Sequence, residues 1–439
     1  MLMHFFRRST LMAAISIATT SIATTVTAHA GMAVLDPAFN GSGMVVTSLA
    51  DNLHATARSV IEQPDGKLVV VGNTYEGSND KGAAFMLLRY NTDGTLDATF
   101  NGDGMVLKPI GDKRDIAYAV VQQDDGKLVV AGGSEGGPAL GSFALLRCNA
   151  DGSLDSSFNG SGTVVSTLNI GNVSAFALIQ QADGKLLAAG HDNANGFALV
   201  RYNRNGSLDG SFGNGLGYVI TKVGSRAWGT SLLQQADGKI VIAGHSGDLH
   251  AMALPRYLPD GSLDKSFGEA GIVNTVFAGS KTLTNSVIEQ ADGKLVVAGT
   301  AAVDVDGKSV QGMAAARYNP DGTLDGGFGV GGKQVVIAAE PSTARSVVLQ
   351  PDGKYLLAGH QHRSEGQHDI VLARLNEDGS IDTAFGINGR DVLPDSHHGN
   401  DFAGNMVSTR EGSLVVVGSS ATSGTSPLGD ALVIRLKVE

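Results

Sequence analysis

The stretch Gln123-Asp-Asp-Gly-Lys-Leu-Val-Val-Ala-Gly132 recurs along almost the whole chain and limits its fold more than any other feature. Close copies are Gln63-Pro-Asp-Gly-Lys-Leu68, Gln181-Ala-Asp-Gly-Lys-Leu186, Gln235-Ala-Asp-Gly-Lys-Ile240, Gln290-Ala-Asp-Gly-Lys-Leu295 and Gln350-Pro-Asp-Gly-Lys-Tyr355, with a decayed seventh at Thr409-Arg-Glu-Gly-Ser-Leu414. Asp-Gly between two apolar runs predicts a two-residue type I′ hairpin turn, which needs positive φ at both central residues.

A second motif alternates with the first. It reads Leu35-Asp36-Pro-Ala-Phe39, Leu96-Asp97-Ala-Thr-Phe100, Leu154-Asp155-Ser-Ser-Phe158 and so on to Ile381-Asp382-Thr-Ala-Phe385, its Asp positions 61, 58, 54, 55, 61 and 57 residues apart. A strand-rich repeat of that length predicts a solenoid or a propeller, and seven copies favour the closed ring. Four strands fit one period: an innermost strand at 116–122, a second at 128–131 whose unbroken apolar run suits cover on both faces, a third at 143–147 and an outer edge at 163–166. We call these a, b, c and d.

The expected fold is thus all-β, a seven-bladed β-propeller with four-stranded blades. The repeat is out of phase with the chain ends, since the chain enters on strand d and leaves on strand c. The stretch from Met44 to Ser48 is therefore expected beside the stretch from Ala431 to Leu436, so that the first and last segments share one sheet and no edge stays open.

Residues 1–30 are set apart by Arg7 and Arg8, an apolar run from Leu11 and the small-x-small triplet Ala28-His29-Ala30, and read as a signal peptide. The general secretory route fits better than twin-arginine export, because the residues flanking the Arg pair match the latter poorly. Residues 31–439 then form one exported propeller domain, periplasmic or extracellular, with no later run long enough to span a membrane. Removing the two arginines takes the formal charge from −11 to −13, and no basic cluster argues for nucleic acid. Cys148 is the single cysteine, so no intrachain disulfide can form. Gly at 60 of 439 residues suits many tight turns. An acidic surface on an edgeless ring favours a monomer.

Strand c ends in Arg89-Tyr-Asn-Thr-Asp-Gly-Thr-Leu-Asp97, Arg147-Cys-Asn-Ala-Asp-Gly-Ser-Leu-Asp155 and further copies. The Asn-x-Asp-Gly-x-x-Asp spacing resembles part of a calcium loop, yet Arg stands where the first carboxylate would be. A guanidinium there favours structural pairing with the Leu-Asp carboxylate over a cation that its charge would repel. Arg89 with Asp97, Arg147 with Asp155, and Arg435 with Asp36 at the joined termini are the expected pairs. Together the two motifs resemble the delta-60 repeat family of exported bacterial propellers, across nearly all of residues 35–436. That resemblance implies a β-propeller of no settled function and carries over no catalytic residues.

Scaffold loops must repeat and a site must break the repeat, so function is expected on the face of the variable d–a and b–c loops. Histidines gather in the expected b–c loops: His191, His245, His250, His360, His362 and His368. With His397 and His398 in the last d–a loop and Asp369 or Asp401 as a carboxylate, His360 and His362 form a conceivable divalent metal site. Solvated loop histidines are the plainer reading, because no tight ligand spacing is present. No cofactor is expected. Trp228, the only tryptophan, with Arg226 reads either as a ligand platform near the axis or as rim packing, and His245 and His250 are further ligand candidates. Asp304-Val-Asp-Gly307 reads as a hairpin tip rather than a calcium loop. No nucleophile elbow, phosphate loop or cysteine site is present. The favoured function is a binding or scaffolding module for a protein or carbohydrate of the envelope. The alternatives are a hydrolase or lactonase-like enzyme with a His-held metal on the variable face, and a purely structural role.

Overall fold

The computed structural model describes residues 31–438 except 50–52, 77–80, 136–140, 167, 169–172, 193–195, 225, 249, 280, 364–366, 395–398 and 422–428. The leader segment 1–30 and the pair His397 and His398 lie outside the described residues. Seven antiparallel sheets, each running a-b-c-d from the centre outward, form a seven-bladed propeller. Blade 1 comprises Leu53–Glu62, Leu68–Glu76, Lys81–Tyr90 and Met105–Lys108. The inner strands of the others are Arg114–Gln122, Val173–Gln180, Ala227–Gln234, Thr282–Glu289, Ser342–Leu349 and Asn400–Ser408. Each packs on the next, and Asn400–Ser408 packs on Leu53–Glu62 to complete the ring.

The unbroken apolar runs of strand b follow from this geometry. Alternate side chains point to opposite faces, and in a propeller both faces meet another blade. In blade 2, Val129 and Ala131 enter the core shared with blade 3, whereas Leu128 and Val130 enter the core shared with blade 1. All four are fully buried. Each such side chain contributes about 1.5–3 kcal/mol when large, so stability resides in the layers between blades.

The seam lies in the last blade. Met44–Thr47 pairs with residues 431–434 of the final strand, Asp430–Val438. Ala33–Leu35, which the sequence did not mark as a strand, pairs with residues 436–438 of the same strand and makes this sheet five-stranded. Leu35 faces Leu436 where Leu96 bridges Tyr90 in blade 1, so the two chain ends meet in place of the Asn-x-Asp-Gly turn. Backbone bonds from Arg435 N–H to the Gly43 carbonyl (2.8 Å) and from Asp36 N–H to the Arg435 carbonyl (2.9 Å) join them.

The Asp-Gly turns differ from expectation. Gly66 has φ +82° while Asp65 is not among the positive-φ residues, and Gly66 N–H bonds the Gln63 carbonyl at 2.9 Å. This is a type I turn followed by a left-handed Gly, not type I′. The same bond and left-handed Gly recur at Gly126, Gly184, Gly238, Gly293, Gly353 and Gly412, whether Pro, Asp, Ala or Arg stands at the first central position; Pro64 and Pro351, with φ fixed near −65°, fit that position and would be barred from it in type I′. A turn with positive φ at both central residues does occur at Asp306-Gly307 (φ +53° and +77°), which joins strands ending at Val305 and starting at Lys308.

Candidate functional site

The Gly that closes each Val-Val-Ala-Gly run builds the site. In every inner strand the pairing with strand b slips by one residue, between Ala57 and Ser59, Ala117 and Ala119, Ala175 and Ala177, Gly229 and Ser231, Thr284 and Ser286, Ala344 and Ser346, and Ala403 and Asn405. A β-bulge of this kind re-aims one side chain. Strand b lies so close at the bulge that a Cβ on Gly72 would coincide with the Thr56 carbonyl oxygen, and a Cβ on Gly132 with that of Ile116. Only glycine allows that approach.

The seven extra residues are Arg58, Tyr118, Phe176, Thr230, Asn285, Arg345 and Gly404. All seven line one axial cavity of about 470 Å³. His360, Phe402 and Ser419 join its wall. His360 and Ser419 sit on strand b opposite Thr343 and Phe402, upstream of the bulges, which places the cavity toward the variable d–a and b–c loops. The scaffold position is repeated seven times, but its side chains differ in charge, size and polarity. Symmetry is broken at the axis itself.

Aromatic rings occupy one arc. The Arg58 guanidinium lies 5.0 Å from the Tyr118 ring centroid, and Tyr118 meets Phe176 at 4.4 Å. Phe176 stacks on His191 at 5.2 Å, His191 meets Trp228 at 6.3 Å, and Trp228 stacks on His245 at 5.2 Å. Positive charge occupies the other side, where Arg58 of blade 1 and Arg345 of blade 6 flank Gly404 of blade 7. Arg58 Nε donates to Asn73 Oδ1 at 3.0 Å. Among the described residues Arg345 has no hydrogen bond or ion pair, and the cavity wall contains no carboxylate. Water reaches Arg345 through the cavity, yet protein surrounds it, so desolvation and then the charge of Arg58 lower its pKa. Burial, followed by the charge of Arg345, pushes His360 down to about 3. His360 is therefore neutral near pH 7, and its buried Nδ1 has no hydrogen-bond partner among the described residues. Burial likewise pushes His245 down to about 4; Thr284 N–H, which meets its Nδ1 at 3.4 Å, only partly offsets this.

The residues singled out from sequence fall around this cavity more often than in it. His191, His245 and His360 belong to paired strands b rather than b–c loops, because strand b continues two to three residues past its Gly. His362 and His368 face each other across the end of a hairpin, with Nε2 atoms 3.3 Å apart. Asp369 is engaged by Arg363 Nε at 2.6 Å, and Asp401 is buried opposite Ser420. No group of three or more His, Cys, Asp or Glu among the described residues could hold a metal ion. Trp228 is half-buried between His191 and His245, and in its blade Thr230 forms the cavity wall. Arg226 and His250 are exposed and, like His245, do not line the cavity.

The opposite, repeated-loop side is a belt of charge. Arg89 Nε meets Asp97 Oδ2 at 2.7 Å, Arg147 Nε meets Asp155 Oδ2 at 2.7 Å, and Arg435 Nε meets Asp36 Oδ2 at 2.7 Å. Each guanidinium also reaches the next blade, Arg89 Nη1 donating to the Ala150 carbonyl and Arg435 Nη1 to the Thr92 carbonyl, both at 2.5 Å. Each lies over the Phe of its Leu-Asp motif, 4.5 Å for Arg89 and Phe100. The Lys of the Asp-Gly-Lys turn joins the same carboxylate, Lys67 Nζ to Asp97 Oδ2 at 2.9 Å. Burial would raise the Asp97 pKa, but the bonds from Thr99 and Lys67 and the charge of Arg89 outweigh it and hold the carboxyl well below its usual range. In the last blade Ser413 stands where the Lys would be, and Lys437 meets Asp36 Oδ1 at 3.0 Å instead. No helix among the described residues is long and apolar enough to cross a membrane.

A family model described as a domain of unknown function (DUF5122) beta-propeller matches residues 63–100, 123–158, 181–212, 235–267, 290–328 and 350–385. Each segment runs from an Asp-Gly turn to the Phe of the next Leu-Asp motif. No curated protein matches. Among solved structures, a streptogramin B lyase aligns with a TM-score of 0.51 at 8% identity over 90% of this chain and 97% of that one. A protein of unknown function from Dyadobacter fermentans DSM 18053 aligns at 0.44 and 12% identity over 90% and 98% of the two chains. The polysaccharide lyase Uly1 aligns at 0.44 and 11% over 87% and 89%. At these identities the likeness extends to the fold alone.

Proposed function

We propose that this chain is an exported propeller of the delta-60 repeat kind that acts as a binding module, holding a small ligand in the axial cavity on its variable-loop face. One observation carries the reading. Seven positions that the fold makes equivalent carry two arginines, two aromatic rings, a threonine, an asparagine and a glycine instead of one repeated residue, and all converge on one cavity of a size that suits a small molecule. A purely structural axis would reuse one packing solution, as the arginine belt does. An enzyme in the same cavity is the second reading, and neutral His360 with its unpartnered Nδ1 is the residue that favours it. A proton acceptor with a pKa near 3 is a weak base at neutral pH, so binding comes first.

The test is a melting-temperature screen of small sugars, organic acids, amines and nucleotides on the mature protein, on Tyr118→Ala and on Phe176→Ala. Compounds that raise the melting temperature of the parent and lose that effect in both variants support the reading. Compounds that stabilise all three proteins alike place binding elsewhere and contradict it.

A further inference from the structure

The two arginines of the cavity are arranged unlike those of the outer belt. Those of the outer belt each hold a carboxylate, a backbone carbonyl and an aromatic face within their own or the next blade. Arg58 lines the cavity and is steadied by Asn73 through Nε and by the Tyr118 ring, and among the described residues its terminal nitrogens make no hydrogen bond. Among the described residues no acceptor meets the Arg345 side chain, and no carboxylate lines the wall. Two guanidinium groups of like charge on one cavity wall repel each other and oppose folding rather than support it. A ligand with negative charge would relieve that repulsion. Guanidinium forks match a carboxylate bidentately, and the adjoining Tyr118–Phe176 arc offers flat apolar faces beside them.

Resting on the binding reading above, we propose that the axial ligand is a carboxylate attached to a six-membered ring, its charge held between Arg58 and Arg345 and its ring lying on Tyr118 and Phe176. The ring belongs either to a uronic sugar, whose C–H face stacks on aromatics, or to an aromatic acid. Both present the same charge and the same flat body to this wall.

The experiment is titration calorimetry of the mature protein with D-glucuronate and with benzoate, each paired with a neutral analogue, D-glucose and benzamide. Arg345→Ala, Arg345→Lys and Arg58→Ala are measured beside the parent, each first shown to melt cooperatively. The expected result is binding of one acid, no detectable binding of its neutral analogue, and roughly thirtyfold weaker binding in either alanine variant. Arg345→Lys restores part of the loss, and affinity falls as salt rises. Which acid binds identifies the ring. In low salt without ligand, Arg345→Ala melts no lower than the parent, because it removes a repulsion and no hydrogen bond. The inference is overturned if neither acid binds, if glucose or benzamide binds as well as its acid, or if Arg345→Ala lowers the ligand-free melting temperature. A neutral compound that binds in a Phe176-dependent way would sink the anion assignment while leaving the binding site intact.

Discussion

Replacing Arg89 by alanine isolates the outer belt from the axial site. Arg89 is buried, and the change removes the 2.7 Å bond to Asp97, the donor to the Ala150 carbonyl of the next blade, the cation over Phe100 and a 3.2 Å donor to the Thr99 hydroxyl, the last of little weight because that hydroxyl keeps its own 2.6 Å bond to Asp97. A charge-assisted hydrogen bond contributes about 2 kcal/mol, a partly buried carbonyl losing its donor costs about 1 kcal/mol, and the ring contact contributes about 0.5 kcal/mol. Lys67 still meets Asp97 at 2.9 Å, so no carboxylate is stranded and the larger penalty for a lone buried charge does not apply. The sum is about 3.5 kcal/mol. With an unfolding entropy of about 2.1 cal/mol/K per residue, a chain of roughly 400 residues melts with about 0.8 kcal/mol/K, so the melting temperature falls by about 4 °C. Differential scanning calorimetry reads this directly, with Arg89→Lys as an intermediate case that keeps charge and loses the fork. Affinity for any axial ligand is unchanged. An unchanged melting curve, or a lowered ligand affinity at full stability, would refute the assignment of this arginine to the scaffold.

Four further outcomes follow from the same geometry. Deleting residues 31–49 removes the outer strands of the last blade; the exposed edge should give a lower melting temperature and self-association on size-exclusion chromatography, and a monomer of parental stability would count against the seam. Stability should fall on acidification in two stages. The pKa values of His360 and His245 are lower in the folded state, at about 3 and 4, so between pH 6.5 and 4 the unfolded chain binds more protons and each histidine costs up to about 1.4 kcal/mol per pH unit; below about pH 4 the depressed carboxyls of Asp97, Asp155 and Asp209 add to the loss as they protonate, and urea midpoints that stay flat from pH 7 to 4 would contradict the burial of the histidines. Cys148 is fully buried, and burial followed by the charges of Asp151 and Asp155 pushes its thiol up to about 12, so a thiol reagent should react only after denaturation. Tyr90→Phe leaves the buried Thr47 hydroxyl without its 2.7 Å partner and should cost about 1 kcal/mol by chemical denaturation.

The repeat made the ring legible because Asp-Gly-Lys and Leu-Asp recur at positions that geometry fixes. The phase of the two motifs also pointed to the seam, since Arg435 and Asp36 complete a spacing that Arg89 and Asp97 show uninterrupted. Ala33–Leu35 carries no strand signal in the sequence because no turn motif frames it; it pairs only where the two ends replace a turn. The role of the Asp-Gly-Lys lysines was missed for a different reason, as Lys67 and Asp97 are 30 residues apart and belong to different motifs. The axial site was hidden by the very regularity of the pattern. Gly132 reads as the end of a strand, whereas it is a strand-interior glycine, which is a bulge signal. Pairing each such Gly with the facing inner strand would have drawn attention to Arg58, Tyr118, Phe176 and Arg345. Arg226 and His250, which stand out by residue type, lie outside the cavity. His191, His245 and His360 follow the same Gly directly, so their shared position was visible in the sequence as Ala-Gly-His, and only their burial required the neighbouring blade.

The most direct measurement is a crystal structure of the mature protein with a compound that raises its melting temperature. The account predicts density for that compound on the axis, between Arg58 and Arg345 and against Tyr118 and Phe176. Density at the repeated-loop face, between two blades, or on the outer edge strands would contradict it.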